Sequence, residues 1–226
     1  MAPRYIYTTF SIPKQNTERL VEVPYPSARM YACPECGIFL SHASGSQVVL
    51  TDGACSNNGQ SNAAAGCGVA MGEKQSQQLA MPFGGMDCAA TKTNQRAELL
   101  AALAGIVEGA EVQSKQQGQF PGHSHPVDRL VVATDSQYVV QGMKEWLPVW
   151  KKNGLKTSSG TTPTNLDLFS RIEWQIEKIA DDKKVSVDFC HIPREQNGLA
   201  DSLAKSAAEM DKKMDRFFKS WICQAY

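Results

Sequence analysis

The sequence predicts an α/β fold, in which helices flank a mixed β-sheet. Three closely spaced apolar segments come first and favour antiparallel strands, whereas later segments alternate between strand-like and helix-like patterns and favour parallel ones. Acidic residues follow two of the apolar runs and lie beside the apolar stripes of two helices. Because α/β proteins bind ligands where strands leave the sheet, this pattern predicts a site at one sheet edge.

The first half of the fold lies between residues 47 and 109. Residues 47–51 are β-branched and apolar and stop at Asp52-Gly53, which predicts a buried strand ending at a turn. Residues 66–72 and 78–83 follow as the second and third strands. A helix is predicted over residues 93–109, since Thr93 can serve as the N-cap and alanine, leucine and glutamate fill the interior.

The second half begins after a polar segment, residues 111–128, whose glycines and prolines predict a long loop. The remaining predicted elements are a strand at 130–134, a helix at 137–146, a basic excursion from 150 to 156, a helix at 166–180, a strand at 184–191 and a helix from 197 towards 221. Residues 1–45 contain five prolines and no long periodic segment, so they are predicted to be an N-terminal extension of unknown role. Residues 46–226 are predicted to be the main domain, with an extended C-terminal helix.

Composition excludes several classes of protein. The 226 residues carry 23 basic and 23 acidic side chains, which argues against coating nucleic acid by bulk charge but allows a local basic patch. No apolar run approaches the ~18 residues of a membrane span, so no membrane association is expected. Seven scattered cysteines suggest thiols in a reducing compartment.

The first residues give little sign of a targeting sequence. They lack the apolar core of a secretory signal. Arg4 and Lys14 are compatible with a mitochondrial address, although Pro3 and Pro13 would interrupt an amphipathic helix. We expect an intracellular protein of the nucleus or cytoplasm, with the mitochondrion left open.

The acidic residues that stand out are Asp52, Glu98, Asp135 and Asp201. Each alone could be a cap, a turn residue or a surface charge. Together they suggest clustered carboxylates, which repel one another unless hard cations with oxygen ligands neutralise them. Two divalent ions ~4 Å apart can activate water and stabilise the leaving oxygen of a phosphodiester.

Longer motifs surround these acids and resemble one family. They are TDGACSNNG at 51–59, TNQRAEL at 93–99, ATDSQYV at 133–139 and LADSLAKSAAE at 199–209, with EWLPVWKKNGLKT at 145–157 and NLDLF at 165–169 between them. These segments resemble, in order, the signature segments of ribonuclease H type 1, and the similarity covers roughly residues 47–209. The resemblance implies a ribonuclease H-like fold with a five-stranded mixed sheet flanked by helices, and makes residues 46–226 the catalytic domain.

The resemblance also implies an activity. It is the endonucleolytic cleavage of the RNA strand of RNA–DNA hybrids, with 5′-phosphate and 3′-hydroxyl ends, by a monomer that uses two Mg²⁺ or Mn²⁺ ions. By motif, the four acids are the metal ligands and catalytic carboxylates. A non-catalytic hybrid-binding protein, or another nuclease of the same fold such as an exonuclease or transposase domain, is the alternative.

Hybrid contacts are implied by motif as well. Asn58, Asn94, Gln95 and Gln137 match positions that touch the minor groove and RNA 2′-hydroxyls, and amides suit a group that both donates and accepts. Candidates for contacts to the DNA strand are Thr93, Asn165, and the basic protrusion of Trp146, Trp150, Lys151, Lys152 and Lys156. Turn formation by the amides, core packing by the tryptophans and a solvated lysine face are the alternatives.

Two segments depart from the family pattern. The loop before the last acidic helix reads CHIPREQNGLAD and resembles a eukaryotic, fungal-like variant with a shortened histidine loop. If the loop is shortened, His191 belongs to the preceding strand and Glu195 is the auxiliary catalytic candidate; otherwise His191 is. Arg194 could pair with Glu195, with another surface acid or with a phosphate. Cys33 and Cys36 resemble half of a zinc knuckle that His42 or Cys55 could help complete.

Overall fold

The computed structural model describes residues 21–23, 28–33, 36–41, 46–87, 91–119 and 128–224. Eight strands in this part of the chain form one sheet. They are β1 (Val21–Val23), β2 (Ala28–Ala32), β3 (Phe39–Ser41), β4 (Gln47–Ser56), β5 (Ala64–Ala70), β6 (Gln78–Pro82), β7 (Arg129–Thr134) and β8 (Ser186–His191). The helices are α1 (Asn94–Gln119), α2 (Gln137–Gln141), α3 (Leu147–Lys152), α4 (Leu166–Lys183) and α5 (Gly198–Gln224), and one wide helical turn, Gly142–Trp146, joins α2 to α3.

The five predicted strands form the centre of this sheet. β4 pairs antiparallel with β5 and β5 with β6, whereas β4 pairs parallel with β7 and β7 with β8. The predicted mixed sheet flanked by helices is therefore confirmed. β4, β7 and β8 can pair in parallel because helices connect them: α1 lies between β4 and β7, and α2 to α4 lie between β7 and β8.

Three strands from the predicted N-terminal extension enlarge the sheet. β1, β2 and β3 form an antiparallel meander, and Leu40 of β3 pairs with Gln47 at the start of β4. β5 pairs with β4 only from Leu50 to Ser56, so β3 can pair with the first residue of β4. The sequence did not predict these strands because each is only three to five residues long.

The helices cover both faces of the sheet, and alternation along β4 shows how. Val48 and Leu50 point into the cluster that contains Leu203 of α5. Val49 points to the opposite face, into the cluster that contains α1 and α4. Because side chains alternate along a strand, Asp52 lies on the α5 face, in line with Val48 and Leu50.

Several element boundaries differ from prediction, among them those of β4 and α1. β4 continues to Ser56, so Asp52 lies inside the strand rather than after its end, because Asp52 still pairs with Gly68 of β5. The parallel pairing with β7 does end before it, at Leu50. Helix α1 continues to Gln119, so half of the predicted loop at 111–128 is helical; Val112 gives this last part a packing contact. No helix in the described ranges is long and apolar enough to cross a membrane.

Candidate active site

Asp52 is the most buried of the four predicted carboxylates. Its residue is 9% exposed, and the backbone N–H of Gly53 donates to its Oδ1 atom at 2.9 Å. Burial raises the pKa of Asp52 to about 7, and the charges of Asp135, Asp201 and Glu98 contribute to the same rise. A carboxylate in this position is stabilised by any cation placed beside it.

Helix α1 approaches β4 very closely at this point. A Cβ atom at position 53 would lie 2.1 Å from the backbone nitrogen of Glu98, so only glycine fits there. This contact places Glu98, in the first turns of α1, next to the strand that carries Asp52. Asp52 therefore supplies a carboxylate, and Gly53 leaves the space that the backbone of Glu98 occupies.

Glu98 is held by two side-chain donors. Asn94 donates from Nδ2 to Oε1 at 2.6 Å, and Ser136 donates from Oγ to Oε2 at 2.6 Å. Burial raises the pKa of Glu98, the Ser136 hydrogen bond opposes that rise, and the charge of Asp135 adds to it. Ser136 also caps α2 by accepting from the Val139 backbone at 3.3 Å, so it connects Glu98 to the end of β7.

Asp135 follows the last residue of β7. Its Oδ1 atom accepts a hydrogen bond of 2.7 Å from Nδ2 of Asn197, which is fully buried in front of α5. The same Nδ2 group donates to the backbone oxygen of Thr51 at 3.1 Å. Asn197 thus ties together the strand that carries Asp52, the end of β7 and the start of α5.

Asp201, in the first turns of α5, pairs with basic side chains. Lys205 lies 2.7 Å from Oδ2, and the guanidinium of Arg194 lies 3.6 Å from Oδ1. Both bases are mostly exposed, whereas the Asp201 side chain is only 20% exposed. Arg194 therefore takes the surface-acid alternative, with Asp201 as the partner.

The four carboxylates come from β4, α1, the end of β7 and α5, and their charges act on one another. In the described part of the chain, no three Asp, Glu, His or Cys side chains form a group arranged to hold a metal ion. Two of these acids already accept hydrogen bonds: Ser136 donates to Glu98, and Lys205 donates to Asp201. The chemistry of the set still fits a hard divalent cation: all four ligands are carboxylates, and mutual repulsion opposes the ionisation of Asp52.

The predicted minor-groove residues lie around the start of α1 and α2. Asn58 is exposed, and its Oδ1 atom accepts from the backbone N–H of Asn94 at 2.9 Å. Gln95 and Gln137 are exposed. Thr93 accepts from the Arg96 backbone at 3.3 Å and so caps α1, as predicted for that residue.

The tryptophans of the predicted protrusion pack on the core. Trp146 lies edge-on to Tyr138, with ring centroids 5.5 Å apart, and Trp150 lies edge-on to Phe169 at 5.4 Å. Both tryptophans are nevertheless partly accessible. The lysines that follow Trp150 are exposed, and Lys151 pairs with Glu173 of α4 at 2.7 Å. Lys156 is also exposed, and its Nζ atom lies 3.4 Å from the Thr162 hydroxyl.

Asn165 is joined to the site by Arg96, which sequence reasoning missed. The Arg96 guanidinium donates to Asn165 at 3.2 Å and binds Asp167 at 2.7 Å and Asp87 at 2.8 Å. Asn165 has a left-handed backbone, with φ of 59°, and donates from Nδ2 to the Tyr138 hydroxyl at 3.0 Å. The start of α4 is therefore fixed against the start of α1.

The two auxiliary candidates occupy different positions. His191 is the last residue of β8 and pairs with Thr134, next to Asp135, as the shortened-loop alternative predicts. Glu195 is exposed, in a short helical turn at Arg194–Gln196.

Sequence reasoning also missed Asn197, Ser136 and Asp211. A spacing of four residues between Asn197 and Asp201, one helical turn, was the available signal for the first. Asp211 is 1% exposed, pairs with Lys92 at 2.6 Å and accepts from the backbone of Ala65 at 3.0 Å. It fastens α5 to β5 beside the site. Nothing in its local sequence distinguishes Asp211 from a surface acid.

Comparisons with known proteins agree with this architecture. A profile of the RNase H family matches residues 44–209. Ribonuclease H of Schizosaccharomyces pombe is 32% identical over 164 residues, which cover 72% of this chain and 53% of that protein. Ribonuclease H1 of Homo sapiens is 32% identical over 169 residues, which cover 73% and 51%. The chain thus spans about half the length of these relatives.

A shorter bacterial relative is matched over most of its length. Ribonuclease H of Shewanella amazonensis is 34% identical over 166 residues, which cover 71% of this chain and 87% of that protein. Among solved structures, a foamy viral protease-reverse transcriptase in complex with RNA/DNA hybrid matches with a TM-score of 0.50 and 19% identity, over 72% of this chain and 20% of that one. That likeness supports the fold. The profile match over most of the chain, together with these relatives, shows that the chain belongs to the RNase H family.

Proposed function

We propose that this protein is an endoribonuclease that hydrolyses the RNA strand of RNA–DNA hybrids and leaves 5′-phosphate and 3′-hydroxyl ends. The observation that carries the proposal is the convergence of four acids in a chain of the RNase H family: Glu98, Asp135 and Asp201 lie close enough for their charges to act on Asp52. The alternative of a non-catalytic binding protein would not require all four acids.

The four carboxylates would hold two Mg²⁺ or Mn²⁺ ions, in keeping with a family that is metal-dependent in general. When bound, such ions supply an activated water and neutralise the charge on the leaving oxygen. The chain's own part is orientation: Asn197 fixes Asp135, and Ser136 fixes Glu98. Because Asp52 is buried, its carboxylate keeps one position while a substrate binds.

Recognition of the hybrid would rest on two surfaces. Asn58, Asn94, Gln95 and Gln137 would contact the minor groove, where the RNA 2′-hydroxyl distinguishes RNA from DNA. Thr93, Asn165 and the protrusion that contains Trp146, Trp150, Lys151, Lys152 and Lys156 would contact the DNA strand. Lysines of that protrusion are exposed and so available to phosphates.

His191 and Glu195 compete for the auxiliary catalytic role. His191 ends β8 beside Thr134, the residue before Asp135, and is half-buried. Glu195 lies in the exposed connection to α5 next to Arg194, which already contacts Asp201. We favour Glu195, because an exposed side chain in a connection can follow a departing product while a side chain within a sheet cannot.

The deciding assay uses an end-labelled RNA–DNA hybrid with Mg²⁺ or Mn²⁺ and compares wild type, Asp135→Asn and Asp181→Asn. Asp181 is an exposed acid on α4 and serves as the matched control. We expect cleavage by wild type and the control and none by Asp135→Asn.

Each alternative gives a different result in this assay. Tight hybrid binding without turnover in either metal would identify a binding protein. Loss of cleavage on end-blocked hybrids would identify an exonuclease. Equal cleavage by Asp135→Asn would overturn the proposed site.

A further inference from the structure

Cys33 and Cys36 form a buried thiol pair far from the carboxylates. Their residues are 4% and 1% exposed, and Cys33 is among the neighbours that act on the Cys36 thiol. The pair packs with Ile38, Leu40 and the Val112 side chain of α1. Val112 lies about 21 Å along the helix axis from Glu98, at ~1.5 Å per residue, so the pair is separate from the candidate active site.

The backbone around the pair forms a tight reversal between β2 and β3. The N–H of Cys33 donates to the Ile38 oxygen at 2.8 Å, and the N–H of Gly37 donates to the Cys33 oxygen at 2.7 Å. Gly37 has a φ of 81°, which favours glycine at that position. This reversal folds the chain back between the two cysteines, and both lie in one packed cluster, as a disulfide between them would need.

We propose that Cys33 and Cys36 are an oxidative modification site that closes into a reversible disulfide at the β2–β3 turn. The oxidant is a low-molecular-weight disulfide of the glutathione class. One cysteine sulfur attacks it, forms a mixed disulfide and releases one small thiol. The second cysteine sulfur attacks the mixed disulfide and releases the other. The two cysteines lose two protons and two electrons in total, and the oxidant becomes two thiols.

A disulfide accounts for the pair better than a closed zinc site does. Structural zinc takes four ligands, and the described residues contain no group of three or more that could hold a metal. Cys55, one of the predicted additional ligands, contacts the Lys92 backbone at the opposite end of α1, about 27 Å along the axis from Val112. His42, the other, lies outside the described residues.

The surroundings of the pair set how readily it would react. Burial raises the pKa of the Cys36 thiol, whereas the backbone N–H of Ile38 and the charge of Lys74 act in the opposite direction. Burial also limits access to the pair, so its oxidation would be slower than that of the half-buried Cys55. Because the turn lies far from Glu98, oxidation would leave hybrid cleavage unchanged.

The test exposes the full chain to a series of reduced-to-oxidised glutathione ratios, then alkylates it and maps its peptides by mass spectrometry. In wild type we expect the number of titratable thiols under denaturing conditions to fall from seven to five. The peptide that holds both cysteines should lose the mass of two hydrogen atoms. Cys33→Ser and Cys36→Ser should each abolish this change. Cys190→Ser, which removes a buried cysteine on β8, should retain it.

Three outcomes would overturn the proposal. In the first, Cys33 and Cys36 stay reduced while other thiols are modified. In the second, either carries glutathione without linking to the other. In the third, one equivalent of zinc co-purifies, is lost in Cys36→Ser and protects the pair from oxidation, which would make it a metal site. None of the three readouts depends on hybrid cleavage.

Discussion

Asn197 donates a 2.7 Å hydrogen bond from Nδ2 to Oδ1 of Asp135. Its side chain is fully buried and also reaches the backbone of Thr51, the residue before Asp52. Asp201 lies one helical turn further on, and its backbone N–H donates to the backbone oxygen of Asn197 at 3.0 Å. Asn197 therefore connects three of the four carboxylates, Asp135 and the strand of Asp52 through its side chain and Asp201 through its backbone oxygen.

Replacing Asn197 with alanine should weaken both cleavage and metal binding by about 10- to 100-fold, the usual range for residues that orient metal ligands. The fold should lose about 1–3 kcal/mol, since buried acceptors are left unsatisfied. Mg²⁺ titration of cleavage and urea unfolding would measure the two effects. Asn62→Ala, at an exposed turn, is the control. Full activity in Asn197→Ala would show that Asp135 holds its position unaided.

The metal-free protein should become less stable as pH rises from about 4 to 7. Asp52 has a pKa of about 7 in the folded protein against an ordinary value of 3.8, so the folded state binds its proton more tightly than the unfolded state does. The resulting loss in the free energy of unfolding is absent below about pH 4 and complete above about pH 7. It amounts to at most about 4 kcal/mol.

Asp52→Asn removes this loss. In EDTA, the variant should be more stable than wild type at pH 8 and similar to it at pH 4, as followed by urea unfolding. Added Mg²⁺ should stabilise wild type at pH 8 and have much less effect on the variant. Parallel pH profiles for the two proteins would contradict this account, and Asp181→Asn should behave as wild type.

Lys205 should compete with metal ions for Asp201. The two side chains are 2.7 Å apart one helical turn from each other, and Lys205 is 64% exposed. Exposed pairs of this kind contribute about 0.2–1 kcal/mol, so Lys205→Met should lower the Mg²⁺ concentration for half-maximal cleavage by about 1.5- to 5-fold. Lys212→Met, which removes a looser pair with Glu209 at 3.9 Å, is the matched control. A higher Mg²⁺ requirement in Lys205→Met would count against competition.

Lys152 should contribute to hybrid affinity through charge alone. It is exposed at the end of α3, in the predicted protrusion. Lys152→Ala should weaken hybrid binding several-fold and reduce the slope of log affinity against log salt by about 1, the value for one lost phosphate contact. Lys178→Ala, on α4 over the Trp174 ring, should leave the slope unchanged. Fluorescence anisotropy in Ca²⁺, at several salt concentrations, would measure both.

The central strands and helices were predictable because their patterns are local. The apolar run through Val48, Val49 and Leu50 is visible in the sequence, as is the helical spacing in α1. The ends of these elements were less predictable, since partners distant in the chain decide them. β5 holds Asp52 inside β4, and the packing of Val112 accompanies the extension of α1 past residue 109.

The sequence by itself determined the family and the mixed sheet and singled out the four candidate acids, because each acid stands within a motif of consecutive residues. Only the tertiary structure decided what holds two of them: Asn197 on Asp135 and Ser136 on Glu98. It also packed Trp146 and Trp150 on aromatic rings and placed His191 in β8. The physical reason is that most of these contacts join residues far apart in the chain, whose meeting depends on the whole packed fold.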